Sequence, residues 1–420
     1  MSIGVIGLGY VGLPLACLFA SKYPVTGFDL SKSRVEALKI GDDATREASP
    51  IRLRRALDSG MRLTTEAADL AGCNFFIVAV PTPVDDANAP DLTCVLSASR
   101  TVGGVLKKGD YVVYESTVYP GVTEDECVPV LEEISGLKLN EDFFVGYSPE
   151  RINPGDSTHP VERITKITSG STPEAARLID RVYGSVLLNG TYPAPSIKVA
   201  EAAKVIENAQ RDVNIAFMNE LARLCRHLGI STNDVIDAAA TKWNFLAFRP
   251  GLVGGHCIGV DPYYLIALGE KMGEEMALLK SARAINSSMG HYVASRVNAL
   301  MDARSLPPDG HVLVLGFTFK ENCPDTRNTR VIDIVRSLRK SGRRVTVFDP
   351  HVDTEVARRE YGIDVVTDPE ALMTDAPFDA VVYAVAHGDF RRVEIERLTH
   401  VDSVVYDVKN GLAGTAHETL

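Results

Sequence analysis

The sequence predicts an α/β protein built as two Rossmann-like, doubly wound parallel-sheet domains joined by a central helical domain with one long helix. Three observations carry this. From residue 1 to about 200, short β-branched runs alternate with longer amphipathic runs, the pattern of parallel strands covered by helices. Strand-like runs then vanish over 197–305. Alternation resumes after the break Pro307-Pro308-Asp309-Gly310. The expected boundaries are therefore 1–196 for the first sheet domain, 197–305 for the helical domain and 306–420 for the second sheet domain.

In the first domain, the strands are expected at 3–7, 25–28, 75–80, 111–115 and 143–147. In the middle, 198–228 runs without Pro or Gly and is rich in helix formers, which predicts a single helix stopped by Gly229. In the last domain, strands are expected at 312–315, 344–348 and 380–385. Val25-Thr26-Gly27-Phe28-Asp29 is echoed by Val345-Thr346-Val347-Phe348-Asp349. The echo reads either as an internal repeat or as the shared vocabulary of any two parallel sheets.

A chain of 420 residues is too long for one compact core. Its net charge of -11 argues against nucleic acid or an anionic membrane as a partner, so any anionic ligand must be held by local cations and backbone amides. Seven scattered cysteines, an odd number with no Cys-x-x-Cys, indicate neither a disulfide framework nor a zinc site, and no metal is expected. With no basic leader and no apolar run long enough for a membrane, the expectation is a reduced, cytoplasmic protein.

Gly7-Leu8-Gly9-Tyr10-Val11-Gly12 closes the first strand and opens a helix, with Asp29 ending the next strand. The first glycine permits the tight turn, the second admits a pyrophosphate and the third lets helix and strand pack. An acid at Asp29 accepts ribose hydroxyls and repels a 2'-phosphate, which favours NAD over NADP as the cofactor. Arg34 is placed to lie along the adenosine. Pro81, Thr82 and Thr117 follow later strands, where loops reach the ligand crevice. Taken alone, threonines there read as turn or cap residues.

Cys257 stands in Gly254-Gly255-His256-Cys257-Ile258-Gly259-Val260-Asp261-Pro262, a glycine-rich setting open to a ligand. The other six cysteines read as packing in apolar helices or strands. Lys204 and Asn208 lie four apart on the long helix and project from one face. Together they suit an alkoxide or oxyanion, and alone they suit a solvated face. Asp261 is open to three roles: orienting water, tuning Lys204, or capping a helix that begins at Pro262. A thiol beside a hydride acceptor has a chemical purpose, because an aldehyde carbon must become tetrahedral before it can lose hydride, and a thiolate makes it so.

In this order the motifs resemble the nucleotide-sugar 6-dehydrogenases, the UDP-glucose and UDP-N-acetylhexosamine dehydrogenases, over nearly the whole chain. The marks are Gly7 to Gly12, the run from Ser148-Pro149-Glu150-Arg151-Ile152-Asn153 to Gly155, Lys204 with Asn208, Phe248-Arg249-Pro250-Gly251 leading into the thiol loop, and Gly316-Phe317-Thr318-Phe319-Lys320 followed by Asp325-Thr326-Arg327. The resemblance implies Cys257 as the thioester nucleophile and Lys204 with Asn208 as the oxyanion pair. It further implies Asp261 and Thr117 in positioning water and Glu150 as the general base. Tyr10, Val11 and Arg327 are implied at the cofactor. Arg151, Asn153, Phe248, Arg249, Gly254, Phe319 and Lys320 are implied at the substrate, with a homodimer through the central helix.

Two departures bear on this. Gly259 replaces the family's usual proline, which loosens the loop. The run Glu150-Arg151-Ile152-Asn153-Pro154 has the form of the N-acetylhexosamine branch, so the implied substrate is UDP-GalNAc or UDP-GlcNAc, with UDP-glucose or UDP-ManNAc as alternatives. Arg249 fits the same branch as a donor to an amide carbonyl or hydroxyl, and equally fits an exposed loop arginine. Two readings compete with this function. A two-electron hydroxyacid dehydrogenase leaves Cys257 without work, and a catalytically silent nucleotide sensor leaves the whole polar set without work.

Overall fold

The computed structural model describes residues 1–45, 47–85, 87–152, 161–412 and 414–420, with Arg392 described by its backbone alone. It falls into two compact units. One comprises residues 1–207 with 263–274, the other 208–262 with 275–420.

The first unit contains β1 (Ile3–Ile6), α1 (Gly12–Phe19), β2 (Val25–Phe28), α2 (Lys32–Lys39), α3 (Pro50–Asp58), β3 (Arg62–Thr64), β4 (Phe75–Val78), α4 (Thr93–Gly103), β5 (Tyr111–Tyr114), α5 (Val128–Ser135), β6 (Phe144–Tyr147), β7 (Lys166–Thr168), α6 (Pro173–Gly184) and β8 (Thr191–Pro193). Six strands form one parallel sheet in the order β3-β2-β1-β4-β5-β6, which reverses direction between β1 and β4. That is the dinucleotide-binding order, and its switch point lies beside the glycine turn. Each face of the sheet is buried. Ile3, Val5, Phe75 and Ile77 enter one apolar cluster, while Ile6, Phe76, Val78 and Tyr114 enter another. The side-chain period of two therefore produces continuous apolar runs rather than alternation. β7 and β8 pair only with each other.

The middle of the chain is helical: α7 (Ile197–Leu228), α8 (Thr232–Ala240), α9 (Asp261–Met272) and α10 (Ala277–Ala303). No strand occurs among the described residues of 197–305. Gly229 takes the left-handed conformation that ends α7 (φ 70°).

The C-terminal part of the second unit contains β9 (His311–Leu315), α11 (Val331–Lys340), β10 (Arg344–Phe348), α12 (Thr354–Tyr361), α13 (Pro369–Asp375), β11 (Phe378–Tyr383), α14 (Ile395–Leu398), β12 (Thr399–Asp407) and β13 (Glu418–Thr419). Its five strands are parallel in the order β10-β9-β11-β12-β13. This is also a doubly wound arrangement, though it differs from the order of the first sheet, and its switch point falls between β9 and β11. Val312 and Val314 face α10 and α11, and Leu313 and Leu315 face the opposite cluster. Among the described residues, no helix is long and apolar enough to cross a membrane.

Candidate active site

The three glycines of the first turn do different work. Gly7 has φ 91°, and a Cβ there would stand 2.7 Å from the Ala79 carbonyl oxygen. At Gly12 an added Cβ would lie 1.8 Å from the Gly7 carbonyl oxygen, which fixes how closely α1 approaches the turn. Gly9, by contrast, has nothing within 4 Å, so its backbone is bare on the side a pyrophosphate approaches. Asp29 accepts the Leu8 amide at 2.9 Å through Oδ2 and the Ser31 amide at 2.9 Å through Oδ1, which fixes its carboxylate at the end of β2. This turn therefore fits a dinucleotide. Tyr10 and Val11, the next turn residues, are half-buried. Arg34 braces the turn from within the protein, donating to the Leu8 carbonyl at 3.0 Å and pairing with Asp43 at 2.7 Å.

The loops after β4 and β5 also reach this crevice. Pro81 is exposed, and Thr82 and Thr117 are half-buried. Ser116 donates to the Val80 carbonyl at 2.7 Å, linking the two loops. Tyr264 on α9, which the sequence motifs do not single out, is fully buried and donates to the Thr82 carbonyl at 2.9 Å.

Glu150 follows β6 and is buried. Its Oε1 accepts the amides of Arg151 at 2.6 Å and Ile152 at 2.8 Å, and its Oε2 faces the Lys166 ammonium at 3.1 Å. Arg151 turns to Glu207 at 3.0 Å and to the Thr165 carbonyl at 3.3 Å. Asn153 lies outside the described residues.

In the second unit, Cys257 is half-buried in a run of turns covering 255–260. Its carbonyl accepts the amides of Val260 at 3.0 Å and Asp261 at 2.8 Å, joining the thiol loop directly to the start of α9. The glycines that suggest an open loop are partly packing devices. A Cβ on Gly254 would stand 2.7 Å from the Asn328 carbonyl oxygen, and one on Gly255 (φ 79°) would stand 2.8 Å from the Phe319 ring. These two glycines admit the protein's own chain, so the loop is pinned. Gly259 is different, because its nearest atom to an added Cβ is 3.5 Å away, and no close contact there demands glycine. His256, beside the thiol, has its pKa pushed down to about 4 by burial and then by the Arg327 guanidinium, so its imidazole is neutral at pH 7.

Lys204 and Asn208 are both buried on α7, which excludes a solvated face for this pair. Asp261 opens α9 itself, one residue earlier than the start expected at Pro262. It is buried, and its Oδ2 accepts from Asn208 Nδ2 at 2.5 Å. A second layer of polar residues supports this region. Asn219 donates to the Gly251 carbonyl at 3.0 Å and accepts the Gly251 amide at 2.8 Å, holding the approach to the thiol loop at both atoms. Asn219 also donates to Asn286 at 2.8 Å, and Asn286 donates to Asp212 at 2.7 Å. Asp212 pairs with Arg283 at 2.6 Å. The signal for this layer was available: Asn208, Asp212 and Asn219 recur at helical spacing among apolar neighbours.

At the switch point of the second sheet, Leu252, Gly254, Thr318, Phe319, Ala384 and Lys409 line an open cleft. Phe319 is half-buried there, and Lys320, the next residue of the chain, is half-buried as well. Arg327 is engaged by Asp325, with a closest contact of 2.5 Å. Phe248 is half-buried, and Arg249 is exposed and tied to Asp237 and Asn233 of α8. Of the remaining cysteines, Cys73 and Cys323 sit in loops rather than in helices or strands, and Cys94 is half-buried.

The model of the UDP-glucose/GDP-mannose dehydrogenase family matches the chain in three parts. Residues 1–187 match its NAD binding domain, 198–288 its central domain and 313–413 its UDP binding domain. The chain is 52% identical over 413 residues to a UDP-N-acetyl-D-glucosamine 6-dehydrogenase of Pseudomonas aeruginosa, covering 97% of this chain and 96% of that protein. It is 50% identical over 411 residues to Protein CapL of Staphylococcus aureus, covering 97% and 95%. Among solved structures, it is similar to a UDP-D-ManNAc dehydrogenase from Pyrococcus horikoshii, with a TM-score of 0.88 and 31% identity over 100% of this chain and 98% of that one.

Proposed function

Because this chain belongs to the UDP-glucose/GDP-mannose dehydrogenase family, we propose that it oxidises C6 of a UDP-N-acetylhexosamine, UDP-GlcNAc foremost, to the uronic acid. It is an NAD-dependent oxidoreductase with a UDP-binding domain. The observation that carries the four-electron reading is the pinned, half-buried thiol loop leading into the Asp261–Asn208 pair. A two-electron enzyme has no use for it.

When bound, NAD supplies the hydride acceptor for both oxidations. The work of the chain's own residues follows from their chemistry. Lys204 and Asn208 stabilise the alkoxide formed as the C6 hydroxyl gives up its proton. Cys257 Sγ adds to the aldehyde carbon, and loss of the second hydride leaves a thioester. Asp261 and Thr117 orient water, and Glu150 accepts its proton as the oxygen attacks. The C–S bond breaks, sulfur leaves as thiolate and the acid departs. In sum, alcohol, water and two NAD yield carboxylate, two NADH and three protons.

The domain roles in this reading are cofactor binding by 1–196, a helical centre in 197–305 and UDP-sugar binding by 306–420. Gly7 to Gly12, Asp29, Arg34, Pro81, Thr82 and Arg327 serve the cofactor, and Arg151, Asn153, Phe248, Arg249, Gly254, Phe319 and Lys320 serve the sugar nucleotide. The supply of NAD and nucleotide sugar, with seven cysteines outside any disulfide, supports a cytoplasmic setting. The test is a panel of UDP-glucose, UDP-GlcNAc, UDP-GalNAc and UDP-ManNAc with NADH counted per product. Two NADH per acid with an N-acetylhexosamine is the expected result, and a yield of one refutes the thioester route.

The same reading makes the enzyme a homodimer through α7. Val199, Ile206, Phe217, Leu224 and Leu228 are all exposed apolar residues on that helix. Their spacings of 7, 11, 7 and 4 keep them within about 40° of one line along its length. Such a stripe demands a partner. Phe217→Asp with Ile206→Asp is expected to halve the mass measured by light scattering, and an unchanged mass places the dimer interface elsewhere.

A further inference from the structure

Glu150 belongs to a buried cluster whose other members the reaction scheme leaves unused. Lys166, on the short strand β7, is 3% exposed and has three acceptors for its three protons: Glu115 Oε2 at 2.6 Å, the Pro149 carbonyl at 3.0 Å and Glu150 Oε2 at 3.1 Å. Glu115, just past β5, takes the Tyr183 hydroxyl of α6 on its other oxygen at 2.5 Å. Ties between β6 and β7 fix the frame. Ser148 donates to the Ile167 carbonyl at 2.7 Å, and Ser169 donates to the Tyr147 carbonyl at 2.7 Å. The neighbouring charges are engaged elsewhere: Asp180 accepts from Thr168 at 2.8 Å, and Arg151 pairs with Glu207.

Two carboxylates and one ammonium in a buried site carry one net negative charge, an arrangement that a fold has no need of for stability. Burial and position instead suit it to controlling a base. We infer that Lys166 is the positioning residue that fixes Glu150, and that Glu115, across the same ammonium, sets how firmly that ammonium holds Glu150. The inference rests on the reading of Glu150 as the base of thioester hydrolysis.

The sign follows from the charges. While Glu115 is ionised, it shares the Lys166 ammonium with Glu150, and the contact to Glu150 is the longer of the two. Once Glu115 is protonated, the ammonium is left to Glu150 alone and holds that carboxylate away from water. Burial pushes the Glu115 carboxyl up to about 7 against the opposing Lys166 charge, which places this switch in the working range.

The experiment uses full-length enzyme with UDP-GlcNAc and NAD, following NADH by stopped flow and the acyl-Cys257 adduct by intact mass. In the parent enzyme, acyl release is expected to rise with pH through a group near 7. Glu115→Gln, a near-isosteric mimic of the protonated state, should slow release about 10²-fold and abolish that limb, leaving the binding affinity for both substrates unchanged. Lys166→Met should additionally produce a burst of NADH and accumulate the adduct. If Lys166→Met does not fold, Glu115→Gln alone decides. A Glu115→Gln enzyme with the parent pH limb and no slowed release overturns the inference. A parent enzyme that forms no adduct and one NADH per turnover overturns instead the functional reading on which it stands.

Discussion

Cys257→Ser is expected to abolish formation of the uronic acid, lowering its rate on the order of 10⁴-fold or more, the scale on which a covalent nucleophile's removal acts. The serine hydroxyl occupies nearly the same space, so the loop pinned by Gly254, Gly255 and Asn219 should keep its shape and UDP-sugar affinity should survive. Any residual turnover should stop at the aldehyde level, with one NADH per sugar, because no thiolate then prepares the carbon for a second hydride loss. Alkylation supplies the companion measurement. Burial pushes the thiols of Cys17 and Cys127 up to about 11 and about 12 and raises that of Cys73, which keeps them unreactive near pH 8. Iodoacetamide should therefore label the two half-buried cysteines, Cys257 and Cys94, with UDP-sugar protecting Cys257 alone. Acid production by Cys257→Ser at a parent-like rate, or labelling indifferent to substrate, removes the thiol from the reaction.

The fold is legible wherever local sequence decides the structure. Strands β2 and β10 occupy the runs expected for them, and α7 begins one residue before its expected start and ends where Gly229 requires. The misses share a cause. Three-residue strands such as β3, β7 and β8 carry too short a pattern to rise above their surroundings. In β12, Thr399–Asp407, the apolar run fills only the second half, after exposed Val401 and Asp402. At the site, contiguous motifs were legible, among them the glycine turn, Asp29, and the loop around Cys257. What was not legible are partners distant in sequence. Glu115, Lys166 and Tyr183 meet across separations of 51 and 68 residues, and nothing local in any of them signals the others. The glycines of the thiol loop were legible as glycines but not in purpose, because the Phe319 ring and Asn328 carbonyl that require them arrive from the following domain's first loop.

The second large effect is on stability. Asp212→Ala is expected to destabilise the second unit by about 3–5 kcal/mol, since it strands the Arg283 guanidinium, 5% exposed, without its carboxylate. In a unit of this size that is a fall in Tm on the order of 10 °C. The loss should be greater than that of one ion pair at a surface, because Asp212 also accepts the Asn286 amide at 2.7 Å and Asn286 supports Asn219. The pair is not itself a source of much stability. Burial raises the Asp212 carboxyl's proton affinity more than Arg283 lowers it, so desolvation outweighs attraction. The double variant Asp212→Leu with Arg283→Met should therefore recover most of the Tm, as apolar replacement of both partners removes the desolvation cost. It should not recover activity to the same degree, because Asn286 then keeps only the Asp212 main-chain carbonyl at 2.9 Å, and Asn219, which leans on Asn286, holds Gly251 less firmly at the entrance to the thiol loop. A double variant that regains both Tm and turnover makes the network purely structural. One that regains Tm and stays slow shows that α7 and α10 keep this buried charge to fix the position of Cys257.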